Sequence, residues 1–258
     1  MRVLRIVVLV VCGYVLPAGA AERRISLSFD IYSAGLHALH IDLGAAIEGS
    51  RYMTTADVAT QGFTDLMLRW RSRMVSTGRL VDGYARPAEH QRDGEWRFNR
   101  RVTRMTYAGD GNVAVVVEPE PEDDDRPPVA LADRRNTVDL LSALTPALLD
   151  RRAADCDYGA SVYDGRRRYD FRLERLGEED LPATEYGSFQ GQAMRCAVRL
   201  TPVAGFRTDD EESGLGFPQN LSVWLARDID KDLTLPVRFQ ADFDVGALVG
   251  HLTKVAAD

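Results

Sequence analysis

Leu66-Met67-Leu68-Arg69-Trp70-Arg71-Ser72-Arg73-Met74 sorts its residues two by two. Leu66, Leu68, Trp70 and Met74 fall on one side of an extended chain, with Arg69, Arg71 and Arg73 on the other, a separation that a 3.6-residue period would scramble. The stretch predicts a strand with one buried and one wet face, the pattern of an antiparallel sheet. Residues 95–107 repeat it, with Trp96, Phe98 and Val102 alternating with Arg97, Asn99, Arg101 and Thr103. Further strands are predicted over 26–32, 39–47, 51–58, 113–118, 167–176, 194–202, 222–226 and 234–244.

Turn chemistry separates the runs at short intervals. Ser76-Thr77-Gly78, Arg92-Asp93-Gly94, Gly109-Asp110-Gly111-Asn112 and Tyr163-Asp164-Gly165 all carry residues that tolerate positive φ. Parallel strands would need a long crossover between each pair, so the spacing predicts an antiparallel meander. No internal repeat of fixed period is present. One segment departs from the alternation. Over 137–149 the apolar positions Val138, Leu141, Leu144 and Leu148 make a helical stripe, with Asn136 or Thr137 as N-cap and Asp139 favouring the N-terminal dipole. Pro146 either kinks this helix or begins a second short one behind a Thr145 cap. The acidic, proline-rich run 118–128 and the acidic run 208–214 are read as solvated loops.

Residues 1–20 have the layout of a secretory signal peptide: Arg2 and Arg5, the apolar run 6–16, then small residues up to a cleavage position near Ala20. Export to the periplasm follows as an expectation, with a single β domain over 21–258. The formal charge of −7 becomes −9 without the leader, which disfavours nucleic acid and leaves at most a peripheral relation to membranes. Cys156 and Cys196 are the two cysteines outside the leader and are predicted to form a structural disulfide.

No motif names a reaction. There is no Gly-x-Ser-x-Gly elbow, Ser-x-x-Lys pair, phosphate loop or dinucleotide fingerprint. Asp228, Asp230 and Asp232 begin like a calcium loop, but Leu233 and Phe239 stand where its glycine and bidentate glutamate belong. His37 and His40 are three apart, which in a strand places them on opposite faces, where they cannot share a metal. His90 and His251 are isolated in the sequence. No catalytic residue, metal ligand or cofactor is therefore assigned.

Five blocks in order give the chain a likeness: residues 136–144, Cys156, residues 163–170, Cys196 followed by Pro202-Val203-Ala204-Gly205-Phe206, and Val223-Trp224-Leu225-Ala226 before Leu235-Pro236-Val237. They resemble the exported bacterial domain-of-unknown-function family 3108, which has no assigned activity. That family is similar in style to lipoprotein-carrier half-barrels that hold acyl chains under helical lids, an analogy at the level of fold.

The reading that follows is mainly β: one curved antiparallel sheet forming an open half-barrel or flattened barrel, with the 137–149 helix as lid or plug. Its expected role is non-enzymatic binding of a hydrophobic or amphipathic envelope ligand on a concave face formed by Leu66, Leu68, Trp70, Met74, Trp96, Phe98, Leu141 and Leu144. A structural envelope protein with a packed interior and an envelope hydrolase are the alternatives.

Overall fold

The computed structural model describes residues 22–120, 126–149, 155–207, 218–228, 233–243 and 246–257. The leader 1–20, the centre of the acidic run at 121–125, the loop 208–214 and both Asp230 and Asp232 lie outside the described residues. Seven strands come first: β1 (Arg23–Ser33), β2 (Leu36–Glu48), β3 (Arg51–Thr60), β4 (Trp70–Val81), β5 (Tyr84–Trp96), β6 (Asn99–Tyr107) and β7 (Val113–Glu118). Six follow: β8 (Tyr158–Tyr163), β9 (Arg168–Leu181), β10 (Gly191–Ala204), β11 (Asn220–Asp228), β12 (Leu233–Phe243) and β13 (Gly246–Ala257). Helix α1 (Gly62–Met67) joins β3 to β4, while α2 (Leu131–Arg134) and α3 (Leu140–Leu149) lie between β7 and β8.

The strands form one antiparallel sheet in the order β7-β6-β5-β4-β3-β2-β1-β13-β12-β11-β10-β9-β8. Every neighbour is sequential except β1 with β13. The two ends of the described chain are thus zipped together, and the free edges β7 and β8 fall in mid-chain. The helical segment crosses between those edges. Val138 makes a parallel bridge to Val162 of β8, and the Asn136 N–H donates to the Gly111 carbonyl in the β6–β7 turn at 2.9 Å. Gly111, at φ +85°, lies so close to the Asn136 side chain that an added Cβ would collide with it.

Residues paired across a ladder share a face, which identifies the inside. Ile25, Ala45, Thr54, Ser76, His90 and Met105 oppose one another strand after strand, and all six are buried. Their neighbour is α3, whose Leu141, Ala143 and Leu148 are buried and which touches β2, β3, β4, β5, β8 and β12. The sheet wraps the helix: α3 is a plug in the concave face. Beyond it, Cys156 and Cys196 are joined in a disulfide with Cα atoms 5.7 Å apart, both buried among Tyr158, Phe171 and Leu173.

Several expectations are corrected. Residues 66–69 are not strand, because β3 ends at Thr60 and β4 first pairs with it at Arg71, opposite Ala59. The chain reverses through α1 in between, which leaves Leu66 83 % exposed. Residues 95–107 are the end of β5, a tight turn at Arg97 and Phe98 (φ +47° and +70°), and β6. Ser76-Thr77-Gly78 and Arg92-Asp93-Gly94 lie inside β4 and β5 rather than in turns. The first contains a register shift at Thr77/Gly78, where a Cβ on Gly78 would meet the Tyr52 hydroxyl at 2.8 Å and the Arg86 carbonyl closer still. The helix begins at Leu140 rather than 137, Asp139 is its cap, and it runs through Pro146.

The disulfide closes a loop of 40 residues, for which chain entropy gives roughly 3 to 4 kcal/mol. Cys156→Ser should lower the melting temperature by about 10 °C at this chain size, measured by circular dichroism. An unchanged melting temperature on reduction would rule out a stabilising bridge.

Candidate functional site

Two features stand out: a buried polar cluster that holds α3, and an apolar rim at one end of the sheet. Asp139 is at the centre of the first, with 1 % of its surface exposed. It accepts from the Ser142 N–H at 3.0 Å and the Ser142 hydroxyl at 2.6 Å, a cap closed over the first turn of α3. The Ser76 hydroxyl of β4 donates to the same carboxylate at 2.5 Å, and Tyr107 of β6 reaches it at 3.4 Å. Tyr52 of β3 donates to Ser142 at 2.7 Å, and Thr54 meets Thr145 at 2.7 Å. Three strands therefore hold one helix through hydrogen bonds to Asp139, Ser142 and Thr145.

His90 completes the cluster. Its Nδ1 lies 2.8 Å from Ser76 Oγ and 3.2 Å from Asp139 Oδ1. A nucleophilic triad needs serine and carboxylate on opposite imidazole nitrogens. Here one nitrogen faces both, and Ser76 donates to the acid, so this geometry holds groups together and does not relay a proton. Burial pushes the Asp139 carboxyl up, but the hydrogen bond and charge of His90, with Ser142 and Ser76, bring it below the ordinary value. Burial also pushes the Tyr52 and Tyr107 hydroxyls well up, so both remain donors at neutral pH.

The second feature joins α1 to the β5–β6 turn. The Arg97 N–H donates to the Arg69 carbonyl at 2.8 Å, and Trp70 pairs with Trp96. The Arg69 guanidinium lies 5.4 Å from the Phe98 ring centre and that of Arg97 lies 5.8 Å from Trp96. Around them Phe63, Leu66, Met67, Leu68, Trp96 and Phe98 are exposed. Arg71 anchors α1 from below, with two hydrogen bonds to Asp65 at 2.6 and 3.0 Å that help lower the Asp65 pKa to about 2.

The eight residues expected on a concave face divide between these features. Met74 is half-buried on the inner face, Leu141 is buried in the plug, and Leu144 packs into the cluster around the disulfide. Trp70 and Trp96 pair on the same face as Ser76 and His90, at the end of that ladder, while Leu66 lies in α1, Leu68 just after it and Phe98 in the β5–β6 turn. His90, Ser76 and Tyr107 were not legible as partners of Asp139. The spacing of Asp139 and Ser142, three residues apart at a helix start, was the one local signal.

Over residues 28–253 the sequence matches a family described as protein of unknown function (DUF3108). The chain belongs to the DUF3108 family. The resemblance carried by the five blocks thus holds. No curated protein matches this DUF3108 chain. Among solved structures it is similar to a β-barrel-like protein of the DUF1849 domain of unknown function from Brucella abortus, at 13 % identity and a TM-score of 0.48, over 93 % of this chain and 99 % of that one.

Asp139→Asn keeps the shape of the cap but removes the charge facing His90. One buried acceptor oxygen is lost, and leaving a buried donor without its partner costs about 1 to 3 kcal/mol, so the urea midpoint should fall with the chain still folded. The pH dependence has a definite sign. A carboxyl whose folded value lies below its unfolded value of about 3.9 contributes stability above that pH, lost as pH falls through the folded value. Urea midpoints of the native chain should accordingly drop more steeply below about pH 4 than those of Asp139→Asn. Parallel curves would remove the carboxylate from the account.

Proposed function

We propose that this DUF3108 protein is exported to the periplasm and works there without catalysis, binding the acyl region of an envelope lipid at the rim formed by α1 and the β5–β6 turn. The observation that carries the reading is six large apolar side chains exposed on two adjoining segments, with arginines laid over the aromatic rings. Scattered apolar residues are ordinary on a surface, whereas six on two segments joined by the Arg97–Arg69 backbone bond, beside a curved sheet, point to a contact site. Export rests on residues 1–20, and the disulfide suits an oxidising compartment. The helices of the described residues include none long and apolar enough to cross a membrane.

The rim is a better seat for a lipid than the interior, because α3 already occupies the concave face. That same observation favours a second reading, a structural envelope protein whose interior is simply packed. The rim separates the two, since packing alone gives no reason to leave Leu66 and Phe98 exposed.

Vesicles of mixed phosphatidylethanolamine and phosphatidylglycerol test this. Trp96 emission should shift to shorter wavelength as it leaves water. Full transfer of one such side chain is worth about 1.5 to 3 kcal/mol, so Leu66→Ser with Phe98→Ser should weaken partitioning at least about tenfold. Absence of any shift, or equal partitioning of the double variant, would favour the packed structural protein.

A further inference from the structure

The outer face of β1 and β2 carries a different cluster. The ladder between these strands shifts register: Ile31 pairs with Leu39 and Tyr32 with His37, leaving Ala38 unpaired. One extra residue reverses the alternation, so His37 and His40 project on the same side, contrary to the regular-strand expectation. The bulge is fixed from both directions. Ala38 is buried, and its carbonyl accepts the Gln61 N–H at 2.9 Å where α1 begins.

Asp30 lies between the two imidazoles. Its Oδ1 is 2.6 Å from His40 Nδ1 and 3.2 Å from His37 Nε2. One ligand atom from each of Asp30, His37 and His40 falls within 4.8 Å of the others. Ligands bound at about 2.0 to 2.2 Å around a tetrahedral zinc ion stand about 3.3 Å apart, so the His40 contact must open by roughly 0.7 Å, and His37 Nε2, at a fitting distance from Asp30, must exchange the Leu39 carbonyl 3.1 Å away for the ion.

The surroundings are those of a supported ligand set. The other nitrogen of His40, Nε2, faces the Asp42 carboxylate at 3.3 Å, the arrangement that orients a metal-bound imidazole from behind. Tyr32 stacks on His37 with ring centres 5.2 Å apart, and Tyr186 packs on Tyr32 at 4.6 Å. All three ligands are partly exposed, which gives an ion access from solvent.

We propose that Asp30, His37 and His40 form a binding site for a divalent transition ion, zinc fitting best, with Asp42 orienting His40. Two imidazoles and one carboxylate leave a fourth position for water or for an anionic group of a ligand. The site is independent of the lipid-binding rim and of its test.

Competition between the untagged protein and a chromophoric chelator for zinc tests the proposal. The expected result is one zinc per chain, and cobalt should give the visible absorption of a low-coordinate nitrogen–oxygen site. His37→Ala and His40→Ala should each weaken binding at least about a hundredfold, and Asp42→Asn by about ten- to a hundredfold. Near-ultraviolet circular dichroism confirms that each variant is folded, and His37→Gln replaces any that is not. Zinc should raise the melting temperature of the native chain but not of these histidine variants. Failure to take up zinc, or unchanged uptake in the double histidine variant, would overturn the site.

Discussion

The contact between Asp139 and the hydroxyls and imidazole around it sets the shape of this molecule. A carboxylate 1 % exposed is tolerable only when its lone pairs are satisfied, and the partners come from three strands and its own helix. Satisfying Asp139 therefore fixes α3 against β4, β5 and β6 at one stroke. Once the helix is seated there, the sheet has a body to curve around. The break between β7 and β8 is then spanned by the segment leading into the helix, and the disulfide secures the segment that leaves it.

That arrangement divides the surfaces available for function. The concave face, which in a lipid carrier would be hollow, carries a helix and a polar cluster. The apolar side chains that could meet a ligand have been displaced to the rim, where α1 turns the chain from β3 into β4. The outer face is patterned by charge: Arg73 meets Asp57 and Arg100 meets Asp93 around a groove of about 410 Å³ that also includes His40 and Asp42. The rim and the histidine cluster share a mechanical origin, since Gln61 at the start of α1 ties down the bulge that aligns His37 with His40.

Much of the fold was legible because period-2 alternation is local. The predicted strand 113–118 coincides with β7, and the meander follows from short turns at Gly109–Asn112 and Asp164-Gly165. The missed strands had weak local signals. β5 contains Pro87 and Asp93-Gly94, which read as breakers, yet Pro87 sits opposite Gly78 at a register shift where a missing N–H is tolerated. β13 is rich in glycine and alanine and is fixed by pairing with β1 across the length of the chain. The plug cluster was less legible still. Ser76 and Asp139 are 63 positions apart, and nothing in either neighbourhood says that one will cap a helix the other holds. The two histidines were misplaced for a related reason, since one unpaired alanine changes which face a side chain takes.

The central claim is that α3 stays in the concave face while the rim meets lipid. Photo-crosslinking with a phospholipid carrying a diazirine on its acyl chain, followed by peptide mass spectrometry, tests it most directly. The account predicts labels on the peptides that contain Phe63, Leu66, Trp96 and Phe98. Labels concentrated on Leu27, Met74 or Leu141 would mean that the helix leaves and the interior is the binding site, and would contradict it.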